Sequence, residues 1–182
     1  GKERLLRGHT GRVFVLITLA FVSVKLVQRL LPPLLPVIID DLDISPFLAG
    51  IALSVMSVFR AGLQYPSGRL ADGLTRTTVI LAALGLVVCA LAVLAVTPTY
   101  AFFLLGVALF GVASGLYDPA DRALLSDLFE RKRGRAFGIH FMGSDASGIL
   151  AAGLAIWIVS VASWRAAFIP SLLVAAPIAV LL

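Results

Sequence analysis

Apolar runs of roughly bilayer-spanning length follow one another along the chain, broken only by short polar connections. Crossing about 30 Å of hydrocarbon takes roughly 20 residues of helix, and there the backbone must satisfy its own hydrogen bonds. The pattern predicts six spans, at 14–36, 47–68, 78–96, 100–125, 136–161 and 164–182. The first should kink and stop at its far end, where Pro32, Pro33 and Pro36 each lack an N–H and crowd the preceding turn. Ser45-Pro46 offers the second span a side-chain cap and a preset φ. Thr97-Pro98-Thr99 turns the chain without charge, so spans three and four should be antiparallel neighbours. The expected fold class is an all-α membrane protein, a six-transmembrane-helix bundle.

Composition narrows the reading. Hydrophobic residues make up 60% and charged residues 14%, outside the usual range of soluble domains. The formal net charge of +5 comes from basic clusters at the amino terminus, after span two and after span four; the other connections hold acids, no charge, or Arg165 alone. By the positive-inside rule, residues 1–13 should form a cytoplasmic segment; the expected location is the plasma membrane, as a multi-pass protein. No basic stripe interleaved with aromatics points to nucleic acid. Cys89, the single cysteine, lies inside an apolar run, so no disulfide framework exists.

Four local patterns occur in order. Leu31-Pro32-Pro33-Leu34-Leu35-Pro36 closes span one, and Gly68-Arg69-Leu70-Ala71-Asp72-Gly73-Leu74-Thr75-Arg76 follows span two. Arg133-Gly134-Arg135-Ala136-Phe137-Gly138 opens span five, and Trp164-Arg165-Ala166-Ala167-Phe168 opens span six. Together they resemble the L-P-x-L-P, G-x-x-x-D-x-x-G-R, R-G-x-A-x-G and G-W-R-x-x-F patterns in the amino-terminal half of major facilitator superfamily transporters.

That resemblance implies two inverted three-helix repeats, alternating access, and a second six-helix bundle, the carboxyl-terminal half, that is absent from this chain. It also implies a conformational latch at Gly68, Asp72, Arg76, Asp127 and Glu130. Gly68 would permit close helix approach, and Asp72 would meet the positive end of a neighbouring helix. Arg76 would reach Asp127 or Glu130. Gly73, Thr75 and Thr77 depart from the full signature, so the latch should be weaker here. Val107 stands near the place of an arginine often seen in the family, and no proline follows Gly143, Gly148 and Gly153 as in the family's antiporters.

Charges inside spans cost several kcal/mol unless paired or facing a wet cavity, so each is a candidate for function. Lys25 and Arg29 share one face of span one near the depth at which the family binds substrate, and Gln28 could share that face. These three, with Tyr117, are the candidate substrate-binding residues. Arg60, Asp118 and Asp145 fall at similar depths in spans two, four and five, so Arg60 should pair with one or both aspartates and leave a carboxylate for proton coupling. A helix break before Pro119 is an alternative setting for Asp118. His140 is expected to be an ordinary interior or interfacial histidine, with a proton relay as the alternative; Gly111 and Gly115 should form a helix-packing pair, and Tyr65, Tyr100 and Trp164 an aromatic belt.

No nucleotide loop, metal cluster or nucleophile–base pair is present in the sequence, so neither catalysis, a metal nor a cofactor is expected. The expected function is secondary active transport of a small polar, anionic solute, with proton coupling as a symporter. Expected partners are that solute, the lipid bilayer and the second bundle. A proton-coupled exporter of amphipathic compounds is the alternative within the family; a six-span receptor or scaffold without turnover is the alternative outside it.

Overall fold

A computed structural model describes residues 5–182; residues 1–4, with Lys2 and Arg4 of the first basic cluster, lie outside the described residues. Helices α1 (Gly8–Leu42), α2 (Pro46–Gly73), α3 (Arg76–Ala95), α4 (Tyr100–Leu128) and α5 (Arg133–Val161) follow in order. A 3-10 turn, Trp164–Phe168, leads into α6 (Ile169–Leu181). Among the described residues, six helices are long and apolar enough to cross a membrane, counting the turn with α6.

The prolines near the end of α1 do not stop it. Pro32, Pro33 and Pro36 are exposed, while Leu31, Leu34 and Ile38 on the other face are buried. Packing of the buried face holds the helix through the lost hydrogen bonds, because tertiary contacts outweigh local propensity. It ends instead at Asp43, whose left-handed φ of 50° lets the Ile44 N–H close on the Ile39 carbonyl at 3.1 Å. Ser45 caps α2 by accepting from the Leu48 N–H at 3.2 Å, and α2 then runs five residues past its expected end. Thr75, one of the departures from the signature, serves as the cap of α3. Pro119 lies within α4, which continues unbroken, so Asp118 sits on regular helix.

The pairing of helices reveals two units of three. The first helix of each unit packs on the second helix of the other: α1 on α5, and α4 on α2. Likewise α3 packs on α4, α6 on α1, and α3 on α6. Because each unit crosses the membrane three times, the second begins on the side opposite the first, and the repeats are inverted. Leu30, Leu34, Leu84, Leu91, Phe103, Phe110 and Phe168 fill the core between them.

Glycines let α2 and α4 approach to backbone contact. A Cβ on Gly115 would lie 2.5 Å from the Arg60 carbonyl oxygen and 2.9 Å from Leu63 Cβ, and one on Gly111 would collide with the Met56 carbonyl. Ser67 Oγ also donates to the Leu116 carbonyl at 2.5 Å, joining the same two helices one turn further along.

The end of the bundle away from the amino terminus is fastened through Asp41. Its Oδ2 accepts from Arg165 Nη1 at 2.7 Å and from Trp164 Nε1 at 3.0 Å, while Arg165 Nε donates to the Thr97 carbonyl at 2.6 Å. Trp164 is therefore buried and bonded rather than part of an aromatic belt. Asp41→Ala removes the acceptor of two hydrogen bonds and should lower stability by about 1–3 kcal/mol. Unfolding in mixed micelles, followed by tryptophan fluorescence, checks this.

Candidate functional site

Midway along α1, Lys25 turns inward and meets Asp118 of α4, with Nζ 3.1 Å from Oδ2. Asp118 is 2% exposed and Lys25 14%, so this is a largely buried pair between the two repeats. Lys25 also donates to Gln28 Oε1 at 3.4 Å, and the same oxygen accepts from Arg60 Nη1 at 3.2 Å. Two cations thus share one amide oxygen, which fixes the orientation of the Gln28 side chain. Its Nε2, and the second oxygen of Asp118, are buried without a hydrogen-bond partner among the described residues. An orphaned donor and an orphaned acceptor beside a lysine are costly to bury.

The expected Arg60–aspartate network does not form. Arg60 reaches Gln28, and Asp118 is taken by Lys25. Asp145 is 86% exposed and lies 3.8 Å from Arg29, itself 39% exposed, whose Nη1 also donates to the Asp145 carbonyl at 3.4 Å. Equal depth along parallel axes says nothing about which way each helix is rotated, and rotation decides the partners. Tyr117 is wholly buried and donates to the Ile17 carbonyl at 2.8 Å, so it braces α1 against α4 instead of lining an open surface.

One turn nearer the amino-terminal end, Asp121 and His140 form a second buried pair, with Oδ2 and Nε2 2.6 Å apart and both side chains 0% exposed. His140 Nδ1 lies 2.9 Å from Thr18 Oγ1, and the ring stacks on Phe21 at 4.3 Å. His140 is therefore interior, as expected, with both ring nitrogens bonded. Asp121 was not singled out above, although its sequence carries a signal: a carboxylate inside a predicted span, three residues after Asp118 and four after Tyr117, on one helix face.

At the amino-terminal end, Arg76 Nε bonds Asp127 Oδ2, and Arg76 Nη1 lies 4.0 Å from Asp72. Glu130 is exposed and Asp127 is the acid that Arg76 meets. A Cβ on Gly68 would meet nothing within 4 Å, so among the described residues no neighbouring helix approaches it closely. Asp72 is 78% exposed, and its one ion-pair partner among the described residues is Arg76 rather than a helix end.

The sequence profile of the Major Facilitator Superfamily matches residues 14–182. This chain belongs to that superfamily. As a member of the Major Facilitator Superfamily it is a multi-pass membrane protein. Its fold is that of solved superfamily transporters. A bacterial homologue of the human drug peptide transporters superposes with a TM-score of 0.80 at 18% identity, over 93% of this chain and 39% of that one. A peptide transporter in complex with sulfate gives 0.81 at 17%, over 96% and 38%. A bacterial homologue of the human lysosomal transporter Spinster, inward-facing and unoccupied, gives 0.81 at 17%, over 94% and 43%. The chain thus spans about two fifths of these superfamily structures. No curated relative matches it.

Proposed function

We propose that this chain is the amino-terminal half of a secondary transporter that moves a small anionic solute together with a proton. The observation that carries the proposal is the Lys25–Asp118 pair with its two orphaned neighbours, Asp118 Oδ1 and Gln28 Nε2. A carboxylate or phosphate on the solute would compete with Asp118 for the Lys25 ammonium and accept from the free Gln28 amide, with Arg60 behind it. Asp118, left without its counter-charge in a buried position, is neutral only with a proton. Solute anion and proton would then enter as a neutral pair, and Lys25 would return to Asp118 once both had left.

Mid-span charge on the open side supports the second bundle. Arg29 and Asp145 are exposed in this chain, and charged groups do not face hydrocarbon without cost. Of the six helices, α2 and α5 are the least covered by the rest of the bundle. A wet cleft closed by a second six-helix bundle accounts for both. The amino terminus lies in the cytoplasm on this reading, since Arg12, Arg69, Arg76, Arg131, Lys132, Arg133 and Arg135 gather at that end. The plasma membrane is the proposed location. The Arg76–Asp127 contact, with Asp72, would favour one conformation of the carrier, as a latch between the loop after α2 and the end of α4.

The test is uptake of a panel of radiolabelled mono- and dicarboxylates by the complete carrier in proteoliposomes with an inside-alkaline pH gradient. Accumulation of one of them by the wild type, and at least about a tenfold loss in Lys25→Ala, matching the roughly 1.4 kcal/mol of a weak charged contact, is expected. Equal uptake by Lys25→Ala would remove Lys25 from the site.

A further inference from the structure

The Asp121–His140 pair has no part in the scheme above, yet it is the most enclosed titratable pair among the described residues. We infer that Asp121 and His140 form an internal proton-binding site, separate from Lys25 and Asp118, that takes up and releases one proton.

The hydrogen bonds around it serve two protonation states without moving a heavy atom. In the neutral pair, an imidazolium donates from Nε2 to Asp121 and from Nδ1 to Thr18 Oγ1, across 2.6 and 2.9 Å. After one proton leaves, Nε2–H still donates to Asp121, and the Thr18 hydroxyl turns to donate to Nδ1. Tyr117 keeps its bond to the Ile17 carbonyl throughout, and stays 3.3 Å from Asp121 Oδ1. A hydroxyl is the group able to reverse its role in this way; a carbonyl or an amide at Thr18 could not. The site therefore exchanges a proton at the expense of one hydroxyl rotation and one unit of charge.

The titratable and charged groups around it come from four helices. From α1, Lys25 is bonded to Asp118 and lies 5.3 Å from the centroid of the Phe21 ring, the ring that stacks on His140. From α4 come Tyr117 and Asp118, with Arg122 exposed. On α5, Arg135 and Asp145 are exposed, and Arg60 of α2 is bonded to Gln28. His140 is thus the one basic side chain in direct contact with Asp121 among the described residues. Phe21, touching both Lys25 and His140, makes the two pairs neighbours, so the charge on one alters the field at the other.

The experiment is NMR of the intact protein in nanodiscs with 15N-labelled histidine, the His140 signal being identified by its loss in His140→Gln. Between about pH 5 and 9, the range in which histidines titrate, the ring should show a single one-proton transition. Asp121→Asn should displace its midpoint by on the order of one pH unit or more, the size expected of a lost contact charge. A ring that keeps one protonation state across the interval, or a midpoint unmoved by Asp121→Asn, overturns the inference. If Asp121→Asn does not fold, the wild-type titration alone decides. The readout needs no solute, so it stands or falls independently of the substrate proposed above.

Discussion

Lys25→Ala is expected to destabilise the bundle by about 3–5 kcal/mol, whereas Lys25→Met combined with Asp118→Leu should cost less than either single change. The asymmetry follows from burial. Without Lys25 the Asp118 carboxylate is left 2% exposed, with one oxygen already lacking a partner. Without Asp118 the ammonium keeps 14% exposure and its contact with Gln28, so Asp118→Ala should be the milder of the singles. The apolar pair removes both desolvation penalties together. Unfolding of the wild type, Lys25→Met, Asp118→Leu and the combined variant in mixed micelles gives the coupling energy directly. If the double variant lost as much as the sum of the singles, the ion pair would have no bearing on stability.

Gly115→Val is expected to be the most disruptive substitution on α4. The new side chain would start 2.5 Å from the Arg60 carbonyl oxygen and 3.0 Å from its Cα, and backbone in a packed helix cannot yield as a flexible side chain does. Overpacking of this kind costs about 1–3 kcal/mol, and here the upper end or beyond, because α2 must move as a whole. Moving α2 also carries Arg60 away from Gln28. Gly62→Ala is the matched control on α2, since a Cβ there meets nothing within 4 Å, and it should be close to neutral. Thermal unfolding and yield of monodisperse protein compare the two; equal behaviour would contradict backbone contact between α2 and α4.

How much of this could be read from residues alone differs by level. The six spans were legible because length and apolarity are local properties, and the bilayer imposes one answer on them. Ser45 as the cap of α2 was equally plain. The far end of α1 was not, since three prolines argue locally for a stop while the buried face of Leu31, Leu34 and Ile38 carries the helix on to Leu42. Lys25 and Asp118 were each recognisable as costly charges within spans, but their pairing was not, and Arg60 was assigned the wrong partner. Asp121 and His140, nineteen residues apart on different helices, became a pair only where α4 and α5 converge.

By itself, then, the sequence determined that the chain lies in a membrane, crosses it six times, and must shelter a small set of ionisable groups. These follow from solvation, which acts on each residue where it stands. The tertiary structure decided which of those groups meet. Partner choice depends on the rotation of each helix about its axis and on how closely two axes approach, and Gly111 and Gly115 set that approach through contacts with residues some fifty positions away in the chain. A linear pattern fixes depth along a helix; only packing between helices turns depth into contact.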